Sequence, residues 1–251
     1  MDIQQQLLEK FKNFIESFIV DELKLEQRDQ LMRFLQLLTE TNLTHNLVSF
    51  KTFEELVFRH AADSLCALPI INKIIKEKNI TAPAIADVGS GGGFPAIPLK
   101  IFLPQSRFLL VESVGKKCVF LKEASAALGF ENFRVENIRA EEIGRANDCR
   151  EKFDFATSRA LSGFNSNLEF ISPFVKPGGV CIIYKSDKYK DELLGAKNAL
   201  TQLNLKLLEI FSYEIPLENE KKNFNLLVIE KTGHTQNTYP RRTGIPEKKP
   251  L

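Results

Sequence analysis

One short segment constrains the fold more than any other part of this 251-residue chain. After an apolar run that begins at Ala84, the chain reads Asp87-Val88-Gly89-Ser90-Gly91-Gly92-Gly93-Phe94. Glycines remove side chains where a strand turns into a helix, so backbone N–H groups can approach a ligand closely. Pro95 and Pro98 fall in the first turn of the next predicted helix, where a missing N–H does no harm. The segment therefore predicts a ligand-binding unit of strand, loop and helix.

A carboxylate lies at the distance from the glycines that a nucleoside cofactor requires. Glu112 closes the next apolar run about twenty residues after the glycines, where a carboxylate can accept hydrogen bonds from ribose hydroxyls. Counted from Gly89, the dinucleotide fingerprint G-x-G-x-x-G fails because Phe94 holds the third glycine position, although Gly91-x-Gly93-x-x-Ala96 satisfies a shifted version. NAD therefore stays open as the cofactor. Asp87, Phe94 as an apolar wall and a C-terminal hairpin favour S-adenosylmethionine (SAM).

The rest of the chain has the pattern of an α/β protein. Apolar residues recur every three or four positions over residues 3–40, as in amphipathic helices, and further helices are predicted at 53–68 and 70–78. From residue 84 short apolar runs alternate with helical segments, which is typical of a parallel sheet. The predicted strands are 84–88, 108–112, 133–137, 153–158, 180–184, 206–213 and 223–230. Predicted helices lie at 95–103, 116–128, 165–175 and 188–203, with a short turn near residue 141.

The short connection between the last two strands, which contains Pro216 and Asn219, favours an antiparallel pair. The predicted fold is therefore a Rossmann-like SAM-dependent methyltransferase fold, with a mostly parallel seven-stranded sheet and a C-terminal antiparallel hairpin. We divide the chain into an N-terminal helical extension (1–80), a SAM-binding core (81–232) and a basic tail (233–251).

Composition excludes several other classes of protein. Hydrophobic residues make up 43% and charged residues 26% of the chain, as in ordinary globular proteins, and no apolar stretch approaches a membrane span. The four cysteines form no C-x-x-C pair and the three histidines no H-x-x-x-H pair, so we expect no metal site. With no secretory signal at the start, we expect a cytoplasmic protein without a membrane partner.

The residues at the end of the fourth predicted strand narrow the choice of methyl acceptor. Enzymes that methylate exocyclic amines commonly carry N/D-P-P-Y/F there, but this chain reads Thr157-Ser158-Arg159-Ala160. Neither Cys149 nor Cys181 is placed to act as a nucleophile. A ring nitrogen such as guanine N7 already carries a lone pair, so positioning and electrostatics suffice. A ribose 2′-hydroxyl remains an alternative acceptor, because Lys185 at the end of the fifth strand could help to remove its proton.

Several segments, taken in order, resemble the small-subunit ribosomal RNA methyltransferase G family, also called glucose-inhibited division protein B. The resemblance spans roughly residues 40–251. Its motifs are Asn46-Leu47-Val48-Ser49, Arg59-His60-x-x-Asp63-Ser64-Leu65, the glycine segment through Pro95 with Ile97-Pro98, Glu112-Ser113-Val114-Gly115-Lys116-Lys117, Ser158-Arg159-Ala160, Pro177-Gly178-Gly179 and Tyr239-Pro240-Arg241-Arg242-x-Gly244-Ile245-Pro246. The chain departs from the family pattern at Ser90 (usually Thr), Ala96 (usually Gly), Glu112 (usually Asp) and Ser186 (usually Gly).

The resemblance implies methyl transfer from SAM to guanine N7 in the 530 loop of bacterial 16S rRNA, by a monomer acting on the 30S subunit or its precursor. By motif position it implies that the cofactor is bound by Gly89, Gly91, Phe94, Glu112, Ser113, Ala140, Glu141 and Arg159. Arg159 would also face the target base, which makes it the candidate catalytic residue.

RNA contact is predicted for Arg59, His60, Lys185, Tyr239, Arg241 and Arg242. The last 31 residues carry seven Lys or Arg and two Glu, and the tail combines an aromatic ring, cations and prolines, as suits contact with RNA. Without the resemblance, Arg59 and His60 are interpreted as surface residues that cap helix carbonyls. Two other functions remain open: an RNA-binding protein with a non-catalytic SAM pocket, and an NAD-dependent oxidoreductase.

Overall fold

A seven-stranded sheet forms the centre of the protein in a computed structural model that describes residues 3–20, 22–187, 189–217 and 220–251. Its strands are β1 (Ala84–Val88), β2 (Arg107–Glu112), β3 (Phe133–Asn137), β4 (Phe153–Arg159), β5 (Val175–Ser186), β6 (Leu205–Pro216) and β7 (Lys221–Lys231). The strand order is β3-β2-β1-β4-β5-β7-β6. The first five strands are parallel, and β7 is antiparallel to both β5 and β6. The predicted fold class is confirmed.

The direction of winding reverses between β1 and β4, and this reversal locates the site. In an open parallel sheet, ligands bind outside the carboxyl ends of the strands at the point where the order reverses. Every residue of β1 is buried, because helices cover both faces of the sheet. The glycine segment starts where β1 ends and therefore lies at the point where the strand order reverses.

Helices before the sheet are α1 (Ile3–Phe18), α2 (Leu25–His45), α3 (Phe53–Glu55), a π-helical segment (Leu56–Ala62), α4 (Asp63–Leu65) and α5 (Leu68–Glu77). Between the strands lie α6 (Ala96–Phe102), α7 (Gly115–Ala127), α8 (Ala140–Ile143), α9 (Phe164–Ile171), a 3₁₀ turn (Ser172–Phe174), α10 (Tyr189–Leu194) and α11 (Lys197–Gln202). The tail holds α12 (Ile245–Lys248). None of the helices in the described residues combines the length and the apolar character needed to cross a bilayer.

Three predicted helices differ from the structure. The one predicted at 53–68 is a composite of α3, the π-helical segment and α4. The one predicted at 165–175 ends at Ile171, because Pro173 lacks the N–H group that would continue it. The one predicted at 188–203 is two helices, α10 and α11, with Gly195 between them. Its first residue, Lys188, and Asn219 of the hairpin connection lie outside the described residues.

Two layers of apolar side chains cover the sheet. On one face, Phe34 of α2 and Phe58 of the π-helical segment share a core with Ile85 and Phe155 of the sheet. On the other face, Ala86 and Leu168 belong to a second core, against which Tyr239 and Leu251 of the tail pack. The helices before residue 80 and the tail therefore pack on opposite faces of one sheet.

Candidate active site

The loop after β1 adopts a backbone that suits glycine. Gly89, Gly91 and Gly93 have φ angles of +76°, +55° and +94°, in the left-handed region that side chains disfavour. The Gly89 N–H donates to the Val111 carbonyl at 2.8 Å, which ties the loop to β2. A Cβ atom on Gly89 would collide with the Leu161 side chain. The loop thus runs close to its neighbours while its backbone faces the crevice.

A cavity of about 370 Å³ opens in front of this loop. All eight residues predicted to bind the cofactor line it, namely Gly89, Gly91, Phe94, Glu112, Ser113, Ala140, Glu141 and Arg159. Phe94 is buried against Phe34 of α2, with ring centroids 5.2 Å apart, so the N-terminal helices support one wall. We call this space the first cavity.

Glu112 both holds the loop and faces the first cavity. It is 6% exposed, and its Oε2 accepts from the Gly91 N–H at 2.8 Å while its Oε1 accepts from the Val114 N–H at 2.8 Å. Each carboxylate oxygen has a second lone pair. Those lone pairs leave Glu112 able to accept hydrogen bonds from two hydroxyl groups of a ligand.

Asp87 is a second buried carboxylate beside the loop. Its Oδ1 accepts from the Thr157 hydroxyl at 2.7 Å, while its Oδ2 has no hydrogen-bond partner in the described part of the chain. Burial raises the pKa of Asp87 to about 6, against the opposing effect of the Thr157 hydrogen bond. Asp87 lies in β1 next to the loop and is not among the residues that line the first cavity.

Arg159 ends β4 and makes contacts that hold its guanidinium in place. Its Nη1 donates to Asp63 Oδ2 at 3.1 Å, and its Nη2 donates to His60 Nδ1 at 2.8 Å. The guanidinium also lies over the Phe94 ring, 5.2 Å from its centroid. These contacts fix the side chain in the lining of the first cavity.

His60 is held in the neutral form by its surroundings. Its Nδ1 accepts from Arg159, so its Nε2 carries the hydrogen and donates to the Ser49 carbonyl at 3.2 Å. Burial, and next the charge of Arg159, lower the pKa of His60 to about 3. His60 therefore supports Arg159. It is carried by the π-helical segment, an element often found at functional sites.

Sequence reasoning gave no role to Asp63 or Tyr213. Tyr213 of β6 donates its hydroxyl to Asp63 Oδ1 at 2.5 Å, so both oxygens of Asp63 are bonded. Burial raises the pKa of Asp63, while Arg159 and the Tyr213 hydrogen bond lower it. The spacing of Asp63, three residues after His60, is the signal that could have indicated it, because such residues share a helix face.

A second cavity of about 350 Å³ adjoins the first at the ends of β4 and β5. Both cavities are lined by His60, Arg159, Ala160 and Leu161. The second is lined further by Arg59, Asp63, Asn167, Tyr184, Lys185, Ser186, Glu192 and Phe224. Lys185 Nζ lies 2.6 Å from Glu192 Oε2 and 5.3 Å from the Phe164 ring centroid. The Lys185 ammonium is therefore paired with a carboxylate inside the second cavity.

The tail docks beside the first cavity. Arg241 Nε lies 3.0 Å from both oxygens of Glu169, its Nη2 lies 2.6 Å from Oε2, and Glu169 is fully buried. The Gly244 N–H donates to Glu141 Oε1 at 2.9 Å, and Glu247 lines the cavity. Of the three tail residues predicted to contact RNA, Arg242 is exposed, Tyr239 is half-buried and Arg241 has its guanidinium engaged by Glu169.

The arrangement of His, Cys, Asp and Glu side chains bears on whether the structure holds a metal site. In residues 3–20, 22–187, 189–217 and 220–251, no three His, Cys, Asp or Glu side chains cluster as metal ligands would. All four cysteines are buried thiols. Burial raises the pKa of Cys181 to about 12 and that of Cys149 to about 11, so both stay protonated at neutral pH.

The sheet ends in the antiparallel hairpin of β6 and β7, a glycine loop follows β1, and a carboxylate closes β2. Together these features define a Rossmann-like methyltransferase whose methyl donor is SAM. Within that class the chain belongs to the family whose model, GidB or rRNA small subunit methyltransferase G, matches residues 27–223. The predicted family and cofactor are confirmed, and the alternative of an NAD-dependent oxidoreductase is wrong.

Curated relatives agree along nearly the whole chain. It is 38% identical over 225 residues to "Ribosomal RNA small subunit methyltransferase G" of Alkaliphilus metalliredigens, covering 90% of this chain and 91% of that protein. A protein of the same name from Carboxydothermus hydrogenoformans is 35% identical over 242 residues, covering 96% and 99%. Among solved structures, a putative RNA methyltransferase from Pyrococcus horikoshii shares the fold, with a TM-score of 0.51, 14% identity and coverage of 82% and 100%.

The first cavity fits SAM in the chemistry of its lining. The backbone of the glycine loop and the two remaining acceptor positions of Glu112 suit the polar groups of an amino acid joined to a nucleoside. Phe94 and Leu161 add apolar surface. When bound, SAM supplies an electrophilic methyl group on a sulfonium.

Proposed function

We propose that this chain methylates guanine N7 in the 530 loop of 16S rRNA, acting as a cytoplasmic monomer on the 30S subunit or its precursor. One observation carries the choice of a ring nitrogen. Among the described residues that line the second cavity, each titratable side chain is already engaged, and none is poised to remove a proton. The pairs are Arg59 with Glu55, His60 with Arg159 and Ser49, Asp63 with Arg159 and Tyr213, Tyr184 with Ser64, and Lys185 with Glu192.

A hydroxyl acceptor needs a base, whereas guanine N7 attacks with its own lone pair and loses no proton. The reaction then depends on holding N7 in line with the methyl group while water is excluded. The alternative of 2′-hydroxyl transfer by Lys185 is disfavoured, because its ammonium is already engaged by Glu192 at 2.6 Å.

In this proposal the first cavity binds the cofactor and the second binds the methyl acceptor. In the first, backbone groups of Gly89 and Gly91 hold the methionine part, and Phe94 forms an apolar wall. Glu112 and Ser113 bind the ribose, while Ala140 and Glu141 border the adenine. The second cavity receives the target base. The shared boundary at Arg159 is where the methyl group and N7 meet.

Arg159 positions the acceptor. Its Nη1 and Nη2 are bonded to Asp63 and His60, which leaves guanidinium N–H groups for an oxygen such as guanine O6. N7 becomes positively charged on methylation, so an uncompensated cation beside it would oppose the reaction. Asp63 offsets the charge of Arg159, and the guanidinium can therefore orient the base without that cost.

The tail and the helical extension serve the same site. We assign Arg241, predicted to contact RNA, to anchoring the tail through Glu169, and His60 to supporting Arg159. Arg59, Arg242, Tyr239 and Lys185 remain candidates for contact with RNA phosphates or bases. The extension (1–80) thus forms one wall of the site, the core (81–232) binds SAM, and the tail (233–251) flanks the cofactor pocket.

A methyl-transfer assay tests the proposal. Unmethylated 30S subunits and free 16S rRNA are incubated separately with the purified chain and labelled SAM, and the product is mapped by mass spectrometry of nuclease fragments. We expect one 7-methylguanine in the 530 loop, and its loss in Arg159→Ala. RNA and SAM binding without transfer in the wild type would favour the non-catalytic RNA-binding protein, and methylation of a ribose would overturn the choice of N7.

A further inference from the structure

We propose that Asn167 recognises the target guanine in the second cavity, with Phe224 as the face on which the base stacks. This inference rests on the proposed function and deepens it, because it names the residues that select the base. Neither residue belongs to the motifs that carried the family resemblance, and the transfer reaction itself does not require an amide at this position.

Asn167 is buried and incompletely satisfied. It lies in α9, is 1% exposed and lines the second cavity, and its backbone N–H donates to the Gly163 carbonyl at 2.9 Å. Its side-chain Oδ1 has no hydrogen-bond partner within the described ranges. Native proteins seldom leave a buried amide oxygen unpaired unless water or a ligand completes it.

The unpaired side chain of Asn167 contrasts with those of its neighbours on the same helix. Asn165 Nδ2 donates to the Leu251 carbonyl at 2.6 Å, and the Ser166 hydroxyl donates to the Pro246 carbonyl at 2.7 Å. Glu169 is bonded to Arg241. All three bind the tail, whereas Asn167 lines the second cavity and its Oδ1 is buried without a partner in the described residues.

Phe224, which also lines the second cavity, offers a fixed aromatic face. Phe224 of β7 stacks on Tyr213, with ring centroids 6.1 Å apart and planes at 26°, and the Tyr213 hydroxyl is tied to Asp63. A rigid ring of this kind suits stacking by a base that has left its own helix. The cavity of about 350 Å³ has the size of a small-molecule site.

The polar groups match guanine rather than adenine. Guanine carries an acceptor at O6 beside donors at N1 and N2, so O6 can accept from Arg159 while Asn167 Oδ1 accepts from N1–H or N2–H. Adenine would present an amino group to the guanidinium and would have no N–H at N1. Two mismatched contacts would then oppose the wrong purine.

The test compares Asn167→Leu, which keeps the volume and removes the acceptor, with Asn167→Asp, which keeps an acceptor. Asn165→Ala on the same helix is the control. Single-turnover methylation is measured on unmethylated 30S subunits, together with the SAM dissociation constant by calorimetry. We expect Asn167→Leu to lower the rate at subsaturating 30S by about tenfold or more, as the loss of one hydrogen bond predicts, with SAM binding unchanged.

Asn167→Asp should recover most of that loss. The preference of Asn167→Leu for guanine over adenine at the target position should be smaller than that of the wild type, with the part that depends on Arg159 retained. Equal rates for the wild type and Asn167→Leu would overturn this inference alone. A wild type that transfers no methyl group to guanine would overturn the proposed function and this inference with it. If Asn167→Leu fails to fold, Asn167→Asp decides, because loss of guanine transfer in a variant that still binds SAM contradicts an acceptor role.

Discussion

Replacing Arg241 by methionine should lower the free energy of unfolding by about 3–5 kcal/mol, because it leaves a buried carboxylate without its counterion. Glu169 is fully buried, and three of its four hydrogen bonds from Arg241 come from the guanidinium, at 2.6 to 3.0 Å. The fourth comes from the Arg241 backbone N–H at 2.7 Å and survives the substitution. We therefore expect the loss toward the lower end of that range.

The double variant Glu169→Leu with Arg241→Met isolates the cause. Replacing both members of a buried pair by apolar side chains of similar size is often neutral or stabilising, so the double variant should recover much of the loss. Arg242→Met is the matched control, since Arg242 is the exposed neighbour and its replacement should change stability by less than about 0.5 kcal/mol. Urea unfolding followed by circular dichroism gives the free energies, and limited proteolysis reports release of the tail.

Three outcomes would refute this reasoning. If Arg241→Met is as stable as Arg242→Met, the pair with Glu169 does not anchor the tail. If Arg241→Met unfolds normally but loses affinity for 30S subunits, the predicted contact of Arg241 with RNA is right. A double variant that is less stable than Arg241→Met would show that the loss arises from poorer packing rather than from an unpaired charge.

Glu112→Ala should weaken SAM binding by about 1.5–3 kcal/mol in calorimetry, because it removes a charged acceptor and frees the N–H that it holds in the glycine loop. Gly89→Ala should abolish SAM binding, since its Cβ meets Leu161 in addition to the strain of φ +76°, whereas Gly129→Ala, at φ +66° with open space around it, should keep SAM binding. When the pH is lowered from 7 to 4.5, the free energy of unfolding should fall further in the wild type than in His60→Gln. The reason is that a pKa of about 3 keeps folded His60 neutral, whereas the unfolded side chain takes up a proton below about pH 6.5.

Each of these expectations has its own contrary result. An unchanged SAM dissociation constant in Glu112→Ala would remove its ribose role. Equal SAM binding by Gly89→Ala and Gly129→Ala would mean that Leu161 yields to the extra methyl group. Parallel loss of stability with falling pH in the wild type and His60→Gln would mean that the folded His60 ring takes up a proton as readily as the unfolded one.

The strands of the first half of the sheet were predictable because they are short apolar runs with clear ends, whereas β5 (Val175–Ser186) begins five residues before the predicted 180–184 and ends two residues after it. The bounds of β1 (Ala84–Val88) and β3 (Phe133–Asn137) agree with the prediction at both ends. The π-helical segment was not predictable, since one wider turn leaves the three- and four-residue spacing of apolar positions nearly intact. The long helix predicted at 188–203 is broken in two because Gly195 destabilises a helix interior, although the charged residues around it favour helix.

The lining of the first cavity was predictable from motif positions, but the partners of its charged residues were not. Arg159 meets a carboxylate 96 positions earlier, and Arg241 meets one 72 positions earlier. Charge and exposure patterns in a sequence do not identify partners at such separations. A tail that is basic in composition was therefore interpreted as a surface for RNA, although one of its two arginines is an internal anchor.

The close approach of the N-terminal region to the glycine loop has an evolutionary consequence. A Cβ atom on Gly92 would strike a terminal methyl group of Val48 and would lie 3.5 Å from Leu38. The contact is with one branch of one side chain, so a smaller residue at position 48 would make room for a larger one at 92. Positions 48 and 92 should therefore vary together among relatives. A relative with a larger residue in place of Gly92 should have a residue smaller than valine at position 48.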